Sequence, residues 1–253
     1  MLVTKELTLI IFFYFCCSFT AQAVEKIVVN VYVYHLKPPF ITDLKNEQGL
    51  YYDFSVFLNS ESKKYSFKTV FIPRKRIDHM IKQEKLNGVL LGVNPIWFKD
   101  KAENKYLWTS TVFTDQDEVI SLKNKPIEYS DPSSLENIAF GGVRGFYYYG
   151  INELVAKKRI NRIDTISEQA LLNMLISKRI DSAIISQSTF DYITRQSKNR
   201  DLFHLSLNPH DRYVRKVMVL PKDSAIFEDI ELIIQKMKDN KVWSEILLTY
   251  LKN

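Results

Sequence analysis

The chain has 253 residues, 46% of them hydrophobic and 25% charged, with 35 Lys and Arg against 29 Asp and Glu for a formal net charge of +6. That balance excludes a disordered chain and supplies enough apolar side chain for one core or two lobes of ordinary size. The cations are scattered through Lys63-Lys64, Arg74-Lys75-Arg76 and Lys157-Lys158-Arg159 without a nucleic-acid-binding signature, so they read as a solvated basic surface and nucleic acid is not an expected partner.

In chain order, the apolar run Leu7 to Phe19 is short for a membrane span and is followed by Ala21-Gln22-Ala23, the pattern of a secretory signal over residues 1–23, cleaved before Val24. An exported, periplasmic protein is expected. Both cysteines, Cys16 and Cys17, fall in that segment, so the mature chain has no disulfide, cysteine zinc site or cysteine nucleophile. Lys26 to Tyr34 predicts a strand, with Pro38-Pro39 in the loop beyond it. Tyr52 to Leu58 predicts a helix, Tyr65 to Ile72 a strand, Arg76 to Lys82 a helix, and Gly88 to Val93 a strand buried on both faces. This β-α-β-α-β order implies a parallel sheet with right-handed crossovers.

A second unit follows. Asp117 to Leu122 predicts a strand and Asp131 to Leu135 a short capped helix; Ile138 to Val143 is a buried strand and Asn152 to Lys158 a helix. Ser167 caps a helix bearing Leu171, Met174 and Leu175, and Ile180 to Ile185 is another buried strand, with a helix suggested behind it. The tail holds a strand from Tyr213 and two amphipathic helices, marked by Ile226, Ile230, Ile233 and Met237, then by Val242, Trp243, Ile246 and Leu247. No low-complexity linker divides the units, which points to a hinge of ordered backbone.

Several short segments in this order resemble the bacterial extracellular solute-binding proteins of family 3, the group of polar amino-acid binders. They are Pro38-Pro39-Phe40, Gly49 to Phe54, Pro73 to Ile77, Leu107 to Phe113, Gly142 to Gly145, Lys178 to Ala183, and Met237 to Trp243. The resemblance covers essentially all of the mature chain. It implies an α/β, two-lobed periplasmic binding protein type II fold, each lobe a mainly parallel sheet flanked by helices. Lobe one would be 24–114 plus 213–253 and lobe two 115–212, with two hinge crossings. It further implies a monomer that captures a small polar or anionic ligand and presents it to an inner-membrane permease or a sensor receptor, as in ABC-type uptake. An enzyme resembling the family's cyclohexadienyl dehydratases is the alternative; without a carboxylate pair in the cleft, no enzyme is expected.

The binding candidates follow partly from residue type and partly from the resemblance. Tyr34, Tyr52 and Trp97 are aromatics for a ring, a sugar face or a cation, although Tyr34 and Tyr52 also fit plain packing. Arg74 and Arg76 open a helix, where cations oppose the macrodipole, and are candidates for an anion contact. Asn94 and Lys99 follow the buried strand Gly88 to Val93. Arg144 and Gly145 lie at a strand-to-helix turn which, by the resemblance, offers backbone N–H groups to an anionic ligand, a use that fits the free donors of a helix start. By the resemblance, Lys99 stands where the amino-acid binders carry an arginine for the ligand carboxylate and Ser186 where they carry an aspartate for the ammonium, which argues against an ordinary α-amino acid. His35, His79, His204 and His210 show no close ligand spacing, so neither a metal nor a cofactor is expected.

Overall fold

The computed structural model describes residues 25–251; the expected signal segment and both cysteines lie outside the described residues. The first strand, β1 (Ile27–Val33), enters the interior as its β-branched residues pass from exposed to buried. It pairs in parallel with β2 (Tyr65–Phe71) on one side and β3 (Val89–Val93) on the other. The crossovers carry α1 (Leu50–Glu61) and α2 (Arg74–Lys82). Gly49 lets the chain turn from the Pro38–Phe40 loop into α1: its φ is 128°, and a Cβ there would stand 2.6 Å from the Phe40 carbonyl oxygen. All five residues of β3 are buried, as their apolar run predicts.

After β3 a 3-10 turn (Pro95–Phe98) leads to β4 (Leu107–Trp108) and β5 (Phe113–Leu122). Asp100 shapes this connection, accepting the Trp108 indole N–H at 2.7 Å and the backbone N–H groups of Asn104, Lys105 and Tyr106. The other half contains β6 (Ala139–Val143), α3 (Ile151–Ala156), β7 (Asn161–Thr165), α4 (Glu168–Ile176), β8 (Ser182–Ser186), α5 (Gln187–Ser197) and β9 (Phe203–Leu205). The chain returns along β10 (Asp211–Val219) and ends in α6 (Ser224–Met237) and α7 (Lys241–Leu251).

The strand order is β2-β1-β3-β10-β5-β8-β6-β7. Strands β6, β7 and β8 pair in parallel, whereas β5 and β10 run antiparallel to their neighbours. The alternation of strands and helices therefore builds two mainly parallel half-sheets, joined by the two strands that cross between them. Within β10, Lys216–Val219 pairs with β3 and Asp211–Arg215 with β5, and the register shifts between Lys216 and Val217. Such an irregularity bends a strand, so one strand serves both halves.

Apolar clusters cover both faces of each half-sheet. The largest seats α1, α6 and α7 on β1 and β3 through residues such as Phe54, Ile230 and Trp243. Tyr52 belongs to this cluster. No helix among the described residues is long and apolar enough to cross a membrane.

Candidate functional site

The loop at the carboxyl end of β1 meets the starts of α4 and α5, which belong to the other half. Such loops, at the carboxyl ends of strands in α/β sheets, are where these folds place ligands. Lys37 Nζ lies 2.8 Å from both carboxylate oxygens of Glu168, the first residue of α4, and 2.7 Å from Ser186 Oγ at the end of β8. Thr189 Oγ1 donates to the Pro38 carbonyl at 2.7 Å and accepts from Ser186 Oγ at 2.9 Å. The Lys37 and Glu168 side chains are only 12% and 5% exposed, so this is a shielded ion pair.

Arg215, in the bent part of β10, is buried with Asp115 of β5; both side chains are 2% exposed. Its Nη2 donates to Asp115 Oδ2 at 3.1 Å and its Nη1 to the Gly92 carbonyl at 2.9 Å. The guanidinium lies 4.5 Å from the Phe40 ring, 5.1 Å from Tyr213, 5.4 Å from Trp97 and 5.9 Å from Phe113, within cation–π range of each. Asp115 also accepts the backbone N–H and hydroxyl of Ser188 in the first turn of α5. One buried ion pair thus ties both crossing strands to a helix start and to the end of β3.

His35 stands beside this pair, its Nε2 3.3 Å from Arg215 Nη1 and its Nδ1 3.3 Å from the Tyr51 hydroxyl. A guanidinium only donates, so Nε2 accepts and the imidazole proton resides on Nδ1. Burial, then the positive charges of Arg215, Lys37 and Arg74, hold His35 well below the ordinary histidine range and keep it neutral. On β5, Asp117 accepts the Tyr213 hydroxyl at 2.8 Å. Burial pushes its carboxyl up to about 7, against the opposing pull of Lys37 and with help from the negative charge of Glu168.

The structure brings together only some of the residues expected from the sequence. Tyr34, Arg74 and Trp97 meet: Arg74 donates to the Tyr34 hydroxyl, the Trp97 carbonyl and the Asp78 carboxylate, and lies 4.2 Å over the Phe98 ring. Tyr34 in turn lies against His35, with ring centroids 4.0 Å apart. Asn94 caps the 3-10 turn by accepting from the Ile96 N–H and donates to the Val214 carbonyl at 3.0 Å, pinning the loop to β10. Ser186 belongs to the Lys37 cluster. Tyr52 points from α1 into the apolar cluster beneath that helix, and Arg76 is exposed on α2. Lys99 is exposed in a left-handed conformation and lines a groove of about 780 Å³ with Arg74, Trp97 and Lys222.

Arg144 and Gly145 are exposed, and a Cβ on Gly145 would meet nothing within 4 Å. The arginine that holds their turn is Arg162, which donates to the Val143 and Phe146 carbonyls at 2.9 and 3.1 Å. Sequence reasoning also missed Lys37, His35, Asp115, Asp117, Glu168 and Arg215. One local signal was available: Asp115 and Asp117 in β5 and Arg215 in β10 share their strands with buried apolar residues, where charges need partners. Their pairing, 100 residues apart in sequence, left no mark in a single chain.

No protein-family model matches the chain, and no curated protein matches it in sequence. Among solved structures, it is similar to an ancestral arginine-binding protein bound to arginine, at 14% identity over 88% of this chain and 98% of that one, with a TM-score of 0.66. It is also similar to the GluR0 ligand-binding core from Nostoc punctiforme in complex with L-glutamate, at 12% identity over 90% and 100% of the two chains, with a TM-score of 0.67. A third is the substrate-binding protein of an amino acid ABC transporter, at 12% identity over 89% and 100%, with a TM-score of 0.63. At these identities the likeness is one of fold. The chain has the two-lobed α/β fold of these structures, the fold that its sequence resemblance implied.

Proposed function

We propose that the chain is a solute-binding protein that captures a small polar or anionic ligand between two lobes by hinge closure. In this reading lobe one is 24–114 plus 213–253 and lobe two is 115–212, exported to the periplasm and serving a permease or a sensor. The observation that carries it is the set of polar groups facing one another across two connecting strands: Lys37 and the Pro38 carbonyl on one side, Glu168, Ser186 and Thr189 on the other. Groups that meet only when two halves come together are what capture by closure requires. The neighbours of known structure are binding proteins of the same fold, which supports the reading without naming this chain's ligand.

One observation favours a second reading. A carboxyl raised to about 7 within reach of the charges of Lys37 and Glu168, as at Asp117, suits a general acid or base and so an enzyme on this scaffold. A single experiment separates the two: a melting-temperature screen of the refolded protein against amino acids, organic acids, polyamines and small saccharides. A captured solute at about a hundred times its dissociation constant adds about 2.7 kcal/mol, a shift of about 5–10 °C for a chain of this size. A shift with one class and unchanged solute recovered is the expected result. Recovery of a product instead selects the enzyme, and no shift with any class contradicts ligand capture.

A further inference from the structure

Lys37 donates all three of its ammonium protons into one pocket. Their acceptors are Glu168 Oε1 and Oε2 at 2.8 Å and Ser186 Oγ at 2.7 Å. Two aromatic faces complete the enclosure, with Nζ 5.7 Å from the Phe40 ring centroid and 6.0 Å from that of Phe146. A carboxylate, a hydroxyl and two rings around a tetrahedral cation make a recognition site for a primary ammonium group. Its occupant comes from the opposite half of the same chain.

We propose that this pocket is a primary-ammonium site filled by the chain's own Lys37, and that the captured solute is therefore a carboxylic acid or other polar molecule without an ammonium group. The proposal rests on the ligand-capture reading above. An external amine has to compete with a tethered lysine, whose effective concentration is in the millimolar range or above. Displacement also strands the Lys37 charge in a neighbourhood it shares with Arg74 and Arg215, since all three cations act on His35. An acid without an amine meets neither penalty, because Glu168 is already neutralised by Lys37 and Asp115 by Arg215.

Two sets of melting curves test the proposal. In the first, the unaltered protein melts at the same temperature in ethylammonium chloride as in sodium chloride of equal ionic strength. Lys37→Ala melts about 5–10 °C lower and recovers saturably with ethylammonium but not with tetramethylammonium, which has no N–H to donate. A variant that ethylammonium does not rescue, or an unaltered protein that ethylammonium stabilises equally well, overturns the proposal. If Lys37→Ala does not fold, pulse acetylation of the unaltered protein replaces this arm: Lys37 is expected to react at least about tenfold more slowly than exposed Lys63, and equal rates overturn the proposal. In the second set, succinate is compared with aspartate and glutarate with glutamate. The amine-free acid of a pair is expected to give the larger shift. A larger shift with the amino acid sinks this inference and leaves ligand capture standing, whereas a solute panel without any shift sinks ligand capture and leaves the ethylammonium rescue to be judged separately.

Discussion

Two half-buried groups, beside the Lys37–Glu168 and Arg215–Asp115 pairs, give the protein opposite responses to pH. Asp117 holds its proton more tightly in the folded chain, where its value is about 7, than at its ordinary 3.8. Its stabilising contribution is complete below about pH 4 and is lost as pH rises through 7. Asp117→Asn keeps an acceptor for the Tyr213 hydroxyl and removes that loss, so it should be more stable than the unaltered protein at pH 8, by about 2–4 kcal/mol, and nearly equal to it at pH 4. Urea unfolding of both proteins at the two pH values checks this. His35 runs the other way: depressed in the folded state, it contributes stability that is lost as pH falls below its ordinary 6.5. His35→Gln should flatten the decline in melting temperature between pH 7 and pH 5.

Arg215 belongs to the same scale. Arg215→Met leaves the Asp115 carboxylate buried without its cation, which should cost about 3–5 kcal/mol in urea unfolding, while Arg215→Met combined with Asp115→Asn should recover part of that loss. Equal losses in the single and double variants would show that the ion pair is not the source. These residues were hard to read from the sequence because a charge in a strand is taken as solvent-facing unless its partner is known. Trp97 and Tyr34 stand out in the sequence as large aromatics in connecting segments, and Arg74 as a cation opposing the dipole at a helix start; the structure brings these three together.

Among the elements, the legible ones were those with one dominant pattern. Strands buried on both faces, such as β3 and β8, are unbroken apolar runs, and the helices between them carry apolar residues at helical spacing. Strand β7, Asn161–Thr165, was missed because it lies at the sheet edge with no fully buried residue and a polar composition. Strands β4 and β9, of two and three residues, exist only through their partners β10 and β5. The turn into α1 offers a test at this scale. Gly49→Ala forces a Cβ against the Phe40 carbonyl at a φ of 128° and should lower stability by at least about 2 kcal/mol in chemical denaturation. A loss below about 0.5 kcal/mol would show that the loop between Phe40 and Gly49 adapts freely.

For the whole molecule, alternating strands and helices gave the fold class, and the absence of a floppy linker pointed to a hinge of ordered backbone. Ordered backbone of that kind runs between the halves in β5 and β10, and the bent β10 pairs with β3 in one half and with β5 in the other. What no local pattern carried is which side chains face one another across the halves, because that depends on how two separately built half-sheets are held together. The most direct measurement is the distance between the halves. In the chain from Val24, which holds no cysteine, spin labels at His79→Cys on α2 and Asn173→Cys on α4 report it, and Lys37→Ala removes the ion pair that joins the halves. Capture by closure predicts a broad distribution for this variant alone and a single shorter distance once the solute that raises its melting temperature is added. The same narrow distribution with and without that solute would mean that the two halves form one rigid body, and would contradict capture by closure.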